Sequence, residues 1–213
     1  RAIVIKGLYA IVDLGTATTH GRDIVDLAGA YLEGGARVLQ VRAPGAAGGD
    51  YLAWCDEIVT RARSVGAHVF VNDRADIAAL SGATGVHLGQ TDLSPVVVRE
   101  ILPSRVQIGL STHTRTEVDA AVDLPIDYVA VGPVFSTTTK ASRYTPVGLD
   151  CIEYAARCHT GRPVVAIGGI TLERAADVLD AGASAVAVIS DLLIGDEPER
   201  RVTDYVRLCD DRA

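Results

Sequence analysis

The sequence predicts an α/β fold, a single (β/α)8 TIM barrel running over residues 1–213. Three observations predict it. Eight short apolar runs alternate with eight amphipathic stretches over about 200 residues, which is the unit count of that barrel at the short end of its size range. The runs are three to five residues of mostly β-branched side chains without strict alternation, as in parallel strands buried on both faces. Helix-ending glycines recur just ahead of strands: Gly34-Gly35, Gly66, Gly82 and Gly182.

Taken in order, the first run covers residues 8–12 and passes into Asp13-Leu14-Gly15-Thr16. An open, doubly wound dinucleotide sheet would place G-x-G-x-x-G at that turn, and the pattern is absent. A helix at 23–33 precedes a strand at 38–41, and a helix at 51–64 precedes one at 69–71. A short, weakly helical stretch at 76–80 leads to the strand at 85–88. Helices at 94–102, 116–122 and 149–157 precede strands at 106–110, 128–131 and 164–167. A helix at 172–181 leads to the last strand, 185–189, and a helix at 198–208 follows. No low-complexity segment or linker divides the chain, and loops 43–50 and 136–146 are expected to be mobile.

Composition narrows the function. A chain of this length buries about 70% of its unfolded surface, enough for a real core. Its 48% hydrophobic and 22% charged residues are those of a globular protein. The net charge of -7 argues against nucleic acid and anionic membranes as partners. No apolar stretch of about 20 residues offers a membrane span, and the first residues do not read as a signal peptide. Cys55, Cys151, Cys158 and Cys209 form no C-x-x-C pair, so packed, reduced thiols in a cytoplasmic protein are expected. Of the 20 basic residues only Lys6 and Lys140 are lysines.

In a barrel, chemistry gathers at the C-terminal ends of the strands. Those positions here hold Asp13; Gln40 and Arg42; Asn72, Asp73 and Arg74; His87, Gln90 and Asp92; Ser111 and His113; the run Gly132 to Lys140; Gly168-Gly169; and Ser190. Ile167-Gly168-Gly169-Ile170-Thr171 is a strand entering a helix through two glycines, which lets backbone N–H groups approach an anion at the positive end of a helix. Ala187-Val188-Ile189-Ser190 repeats the pattern one unit later, and these two loops are the usual phosphate site of the fold. Asp73 and Asp92 fit a Mg²⁺ site, which takes one or two carboxylates, and fit equally as caps of the helices that follow. Thr137-Thr138-Thr139-Lys140 offers three hydroxyls and an ammonium to a polyanion. Ser111 lacks a nucleophile elbow and suits hydrogen bonding to an anion, while His113 is placed to shuttle a proton or to support another group. His87, inside an apolar strand, reads as a satisfied core histidine, and His20, His68 and His159 as loop or surface residues.

Together these segments resemble the thiamine-phosphate synthase family. The resemblance rests on Tyr9-Ala-Ile-Val-Asp13, Gln40-Val-Arg42, Val71-Asn-Asp-Arg-Ala-Asp76, Gly85-Val-His-Leu-Gly-Gln-Thr-Asp92, Gly109-Leu-Ser-Thr-His113, Gly132-Pro-Val-Phe-Ser-Thr-Thr-Thr-Lys140, Pro146-Val-Gly148 and Ala166-Ile-Gly-Gly-Ile170, in the family's order. It implies a transferase that joins an aminopyrimidine methyl diphosphate to a thiazole phosphate and releases pyrophosphate. It further implies that Asp73 and Asp92 hold Mg²⁺. Gln40, Arg42, Asn72, Ser111 and Lys140 would contact the pyrimidine diphosphate, with Lys140, Ser111 and Arg42 as the catalytic set. Thr137, Thr138, Thr139, Gly169, Ile189 and Ser190 would hold the thiazole phosphate. Two small-molecule substrates are then the expected partners, and a homo-oligomer stays open.

One position departs. The family pattern on the second strand is Gln-x-Arg-x-Lys, and this chain reads Gln40-Val-Arg42-Ala-Pro44. Proline supplies no cation, and a nearby Arg74 or a rearranged loop would have to compensate. Two other functions share the resemblance. One is a thiazole tautomerase, a proton-transfer isomerase that would use His113, though its members generally lack the full Thr-x-Thr-Lys stretch and the metal aspartates. The other, suggested by Pro44, is a protein that holds a thiazole or thiamine phosphate without turnover.

Overall fold

The computed structural model describes residues 5–137 and 144–212. Eight parallel strands close into a barrel in sequence order, each paired with the next and the last with the first. They are β1 (Gly7–Asp13), β2 (Val38–Arg42), β3 (His68–Asn72), β4 (Gly85–Leu88), β5 (Gln107–Thr112), β6 (Tyr128–Val131), β7 (Val164–Ile167) and β8 (Ala185–Val188). Around them run α1 (Leu14–Thr19), α2 (Ile24–Glu33), α3 (Gly48–Ser64), α4 (Ala75–Leu80), α5 (Pro95–Ile101), α6 (Arg115–Ala120), α7 (Gly148–Cys158), α8 (Leu172–Asp180) and α9 (Pro198–Asp210).

Alternation along each strand makes two cores. On β1, Leu8, Ala10 and Val12 face the helices, while Tyr9 and Ile11 join Phe70, Tyr128, Val165 and Ala187 in the second cluster, inside the barrel. Caps place the helices. Ser94 accepts from Val97 N ahead of Pro95, and Thr114 accepts from Glu117 N at the start of α6. Helix α1 was not expected. Its sequence has no apolar stripe, and Asp13 starts it by accepting from Thr16 N and Oγ1 at 2.8 Å each.

Two expectations need correction. Residues 48–50 belong to α3 and not to a mobile loop. His159 is a buried residue: at 4% exposure it caps α7, with Nε2 on Val118 O at 3.0 Å and Nδ1 facing Arg162. Cys55, Cys151 and Cys209 are buried free thiols and Cys158 is half-buried. Burial pushes the Cys55 thiol up to about 12, so it stays protonated and unreactive. Among the described residues no helix is long and apolar enough to cross a membrane.

Candidate active site

A cavity of about 440 Å³ opens at the C-terminal ends of the strands. The register carries Arg42, Asp73, Asp92, Ser111, Thr137, Gly169, Ile189 and Ser190 into its wall, so eight expected site residues meet there. Gln40 and Asn72 do not line it. Both are buried, Gln40 at 4% exposure with Nε2 donating to Tyr9 Oη at 3.2 Å inside the barrel. Thr138, Thr139 and Lys140 lie outside the described residues.

At one side of the cavity the wall is built of side chains. Arg42, at the end of β2, is the one Lys or Arg lining it among the described residues. Its Nη1 lies 2.5 Å from Asp13 Oδ2, with the two side chains 19% and 7% exposed. Asp13 therefore starts α1 and aims the Arg42 guanidinium at once. Arg74 does not line the cavity. Its Nε and Nη2 fork onto Asp76 at 2.8 and 2.6 Å, outside the cavity wall. That hydrogen-bonded pair holds the Asp76 carboxyl below its usual range.

Asp73 and Asp92 stand on this same wall. Neither is the residue at a helix N-cap: Arg74 precedes α4 and Ser94 precedes α5. Asp73 adopts the left-handed backbone (φ 63°), an uncommon conformation for a side-chain-bearing residue, and its N–H donates to His87 O at 2.8 Å. Asp92 Oδ2 accepts from Gly89 N at 2.7 Å. Among the described residues no group of three or more His, Cys, Asp or Glu side chains could hold a metal. Two carboxylates on one cavity are compatible with Mg²⁺, which takes one or two carboxylates and fills its other positions with water and substrate phosphate.

Ser111 is joined to a histidine, though not to His113. His87 Nε2 lies 2.8 Å from Ser111 Oγ, and His87 Nδ1 lies 2.7 Å from Tyr128 Oη. No carboxylate completes a triad in those contacts, which agrees with a hydrogen-bonding role for Ser111. His113 instead pairs with Glu117 Oε2 at 3.1 Å and stacks on Tyr144 with ring centroids 3.8 Å apart, at the cavity edge. Gln90 Nε2 donates to Ser111 O at 2.7 Å.

The other side is built of backbone. Gly168 and Gly169 adopt φ 103° and 63°. A methyl on Gly168 would strike Pro133, and one on Gly169 would strike Phe135 and the Ser136 carbonyl. The turn thus lies flat against the segment after β6, to which it is tied by Val134 N to Ile167 O and Phe135 N to Gly168 O, both 2.9 Å. Arg174 fastens it from outside, donating to Gly169 O at 3.2 Å while lying over the Phe135 ring. The helix-end argument holds for α8 alone, because β8 enters only a single 3-10 turn, Ser190–Leu193.

Sequence reasoning missed Asp191. Its Oδ2 accepts from Leu172 N at the start of α8 (3.2 Å), from Arg201 Nη2 (2.7 Å) and from Tyr205 Oη (2.6 Å). It therefore clasps the loops after β7 and β8 together. A lone aspartate after Ser190 carries no sequence signal for this, since its partners sit in α8 and α9. Tyr144 was likewise not singled out as a site residue.

Comparisons with known proteins bear on this cavity. The family model described as thiamine monophosphate synthase matches residues 8–192. A thiamine-phosphate synthase of Mycolicibacterium paratuberculosis is 43% identical over 191 residues, covering 85% of this chain and 84% of that protein. One from Koribacter versatilis is 38% identical over 210 residues, covering 94% of each. The solved thiamine phosphate pyrophosphorylase from Pyrococcus furiosus superposes with a TM-score of 0.87 at 29% identity, covering 97% of this chain and 96% of that one. The match spans every strand and reaches past Ser190, so the cavity falls inside it, and the chain belongs to the thiamine monophosphate synthase family.

Proposed function

We infer that the chain works as one barrel domain that makes thiamine phosphate. An aminopyrimidine methyl diphosphate and a hydroxyethylthiazole phosphate enter the cavity together. The methylene C–O bond breaks, pyrophosphate departs with the electron pair, and the thiazole nitrogen forms the new C–N bond to the pyrimidine methylene. Family membership supports the reaction. The observation that carries the reading in this chain is that Arg42, Asp73, Asp92 and Ser111 share one cavity with the Gly168-Gly169 turn and Ser190.

The chemistry asks for stabilisation of the charge on the departing pyrophosphate more than for a nucleophile. Asp73 and Asp92 would hold Mg²⁺, which when bound supplies positive charge to the departing diphosphate. Arg42, aimed by Asp13, binds the diphosphate oxygens, and Ser111 donates a hydrogen bond there. Lys140 adds the ammonium that the proline at position 44 does not. Gln40 and Asn72 support the pyrimidine end from beneath the cavity floor. Gly169, Ile189 and Ser190, with Thr137, Thr138 and Thr139, hold the thiazole phosphate. This places the two anions on opposite walls with the reacting carbon and nitrogen between. Exclusion of water by the bound substrates would keep it from capturing the pyrimidine cation. A chain with a net charge of -7 answers its anionic substrates locally, with one arginine, one lysine, a metal and backbone amides. A cytoplasmic location fits such a biosynthetic step.

Incubation with both substrates and Mg²⁺ tests the reading. Thiamine phosphate and pyrophosphate are expected in equal amounts. Tight binding of the thiazole phosphate without product would refute the reading, as would isomerised thiazole without coupling.

A further inference from the structure

Five buried or half-buried side chains form a continuous line through the barrel into the cavity. Gln40 Nε2 donates to Tyr9 Oη at 3.2 Å, Tyr9 Oη lies 2.9 Å from Tyr128 Oη, and Tyr128 Oη lies 2.7 Å from His87 Nδ1. His87 Nε2 then meets Ser111 Oγ at 2.8 Å, and Ser111 is on the cavity wall. The rings are packed so that they cannot swing out of line. Tyr128 stacks on His87 at 21° and meets Phe70 edge-on at 85°, and Tyr9 packs on both Phe70 and Tyr128. A methyl on Gly109 would run into the Tyr128 ring and hydroxyl, so β5 leaves a slot for that ring.

Each hydroxyl has one hydrogen, and a buried one is costly to leave unpaired, so with every hydrogen spent along the line the direction set at one end fixes every bond. An amide N–H of Gln40 can only donate. Tyr9 receives it and passes its own hydrogen to Tyr128, which passes its hydrogen to His87 Nδ1. His87 is then the tautomer protonated at Nε2, and it donates to Ser111 Oγ. Ser111 receives that bond and keeps its own hydrogen for the cavity. The reversed line, starting from the Gln40 amide oxygen, would spend the Ser111 hydrogen on His87 and leave an acceptor facing an anion.

We propose that His87 is a positioning residue, held as the Nε2–H tautomer by the Gln40–Tyr9–Tyr128 line, and that it fixes the Ser111 hydroxyl as a hydrogen-bond donor to the diphosphate. The proposal rests on reading this wall as the diphosphate side. Its structural half, however, can be measured with no substrate present.

The experiment is ¹⁵N NMR of the whole chain labelled at the imidazole nitrogens, with the His87 signals assigned by their loss in His87→Gln. A protonated Nε2 and an unprotonated Nδ1 are expected. Tyr128→Phe keeps the ring and removes the donor to Nδ1, so the His87 tautomer becomes mixed. In coupling assays kcat should fall about 10- to 100-fold, the effect of losing one hydrogen bond to a charged group, with KM for the thiazole phosphate unchanged. Ser111→Ala combined with Tyr128→Phe should be no slower than Ser111→Ala alone, because both changes remove one donor. A protonated Nδ1 in the parent chain would overturn the proposal, and so would additive losses in the double variant. Absence of coupling by the parent chain would fail the proposed function and leave the tautomer measurement to decide the direction of the line.

Discussion

Along the ends of β2 to β5 the cavity wall is made of the side chains Arg42, Asp73, Asp92 and Ser111, whereas along β7 and β8 it is made mostly of the backbone of Gly168, Gly169 and Ile189. The first wall is built of polar side chains held by neighbours, Arg42 by Asp13 and Ser111 by His87. The second is rigid. Its glycine turn presses on Pro133 and Phe135 and is clasped by Asp191 and Arg174. The difference suits the two anions we assign to them. A diphosphate that must leave would be met by side-chain charge and a metal, and a phosphate that only anchors would be met by fixed amides.

Substitutions on each wall should therefore fail differently. The largest effect is expected from Gly169→Ala, where a methyl meets the Ser136 carbonyl and the backbone is left-handed. KM for the thiazole phosphate should rise about 1,000-fold, as two hydrogen bonds to a charged group are lost, while pyrophosphate still binds. Ser111→Ala is the mirror case. It should lower kcat about 100-fold, the scale of losing one preorganised donor, with the thiazole KM kept. Asp92→Asn should weaken the response of rate to Mg²⁺ concentration, and an unchanged metal response would remove Asp92 from the metal site. Lys140→Ala should cut coupling far more than thermal stability; equal loss of both would make Lys140 structural.

A smaller effect is expected from Asp191→Ala. It should cost about 3 kcal/mol of stability, the scale of breaking a buried ion pair, read from a denaturant midpoint. The smallest comes from His159, remote from both walls. Burial is the main cause that lowers its pKa below the ordinary value, so the folded chain binds fewer protons there than the unfolded one. This contribution is present above the unfolded-state pKa, and it is lost as pH falls below it. A His159→Gln chain should show a flatter fall of Tm between about pH 7 and pH 5 than its parent.

The two walls also differ in how well the sequence exposes them. The strands 85–88, 128–131 and 164–167 match β4, β6 and β7 residue for residue, because runs buried on both faces leave a strong apolar signal. The Gly168-Gly169 turn was equally plain, since two glycines between strand and helix have few other uses. What stayed hidden depends on partners distant in sequence. Asp191 reaches α9, Tyr128 reaches His87 across 41 residues, and Asp13 aims Arg42 across 29. His159 read as a surface residue because a lone histidine near a glycine gives no hint of the Val118 carbonyl waiting for it. Arg74 looked free to replace a missing cation, and its fork onto Asp76 is a local contact that a proline one strand earlier does not announce.

The contrast between the walls can be measured directly by titrating the chain calorimetrically with pyrophosphate and with the thiazole phosphate, each with Mg²⁺ and again with the metal chelated. We expect chelation to weaken pyrophosphate binding at least about 10-fold, one hydrogen-bond or metal contact to a charged group, and to leave thiazole phosphate binding unchanged. Equal sensitivity of both ligands to the metal, or of neither, would contradict a cavity with one wall of side chains and metal and one of backbone.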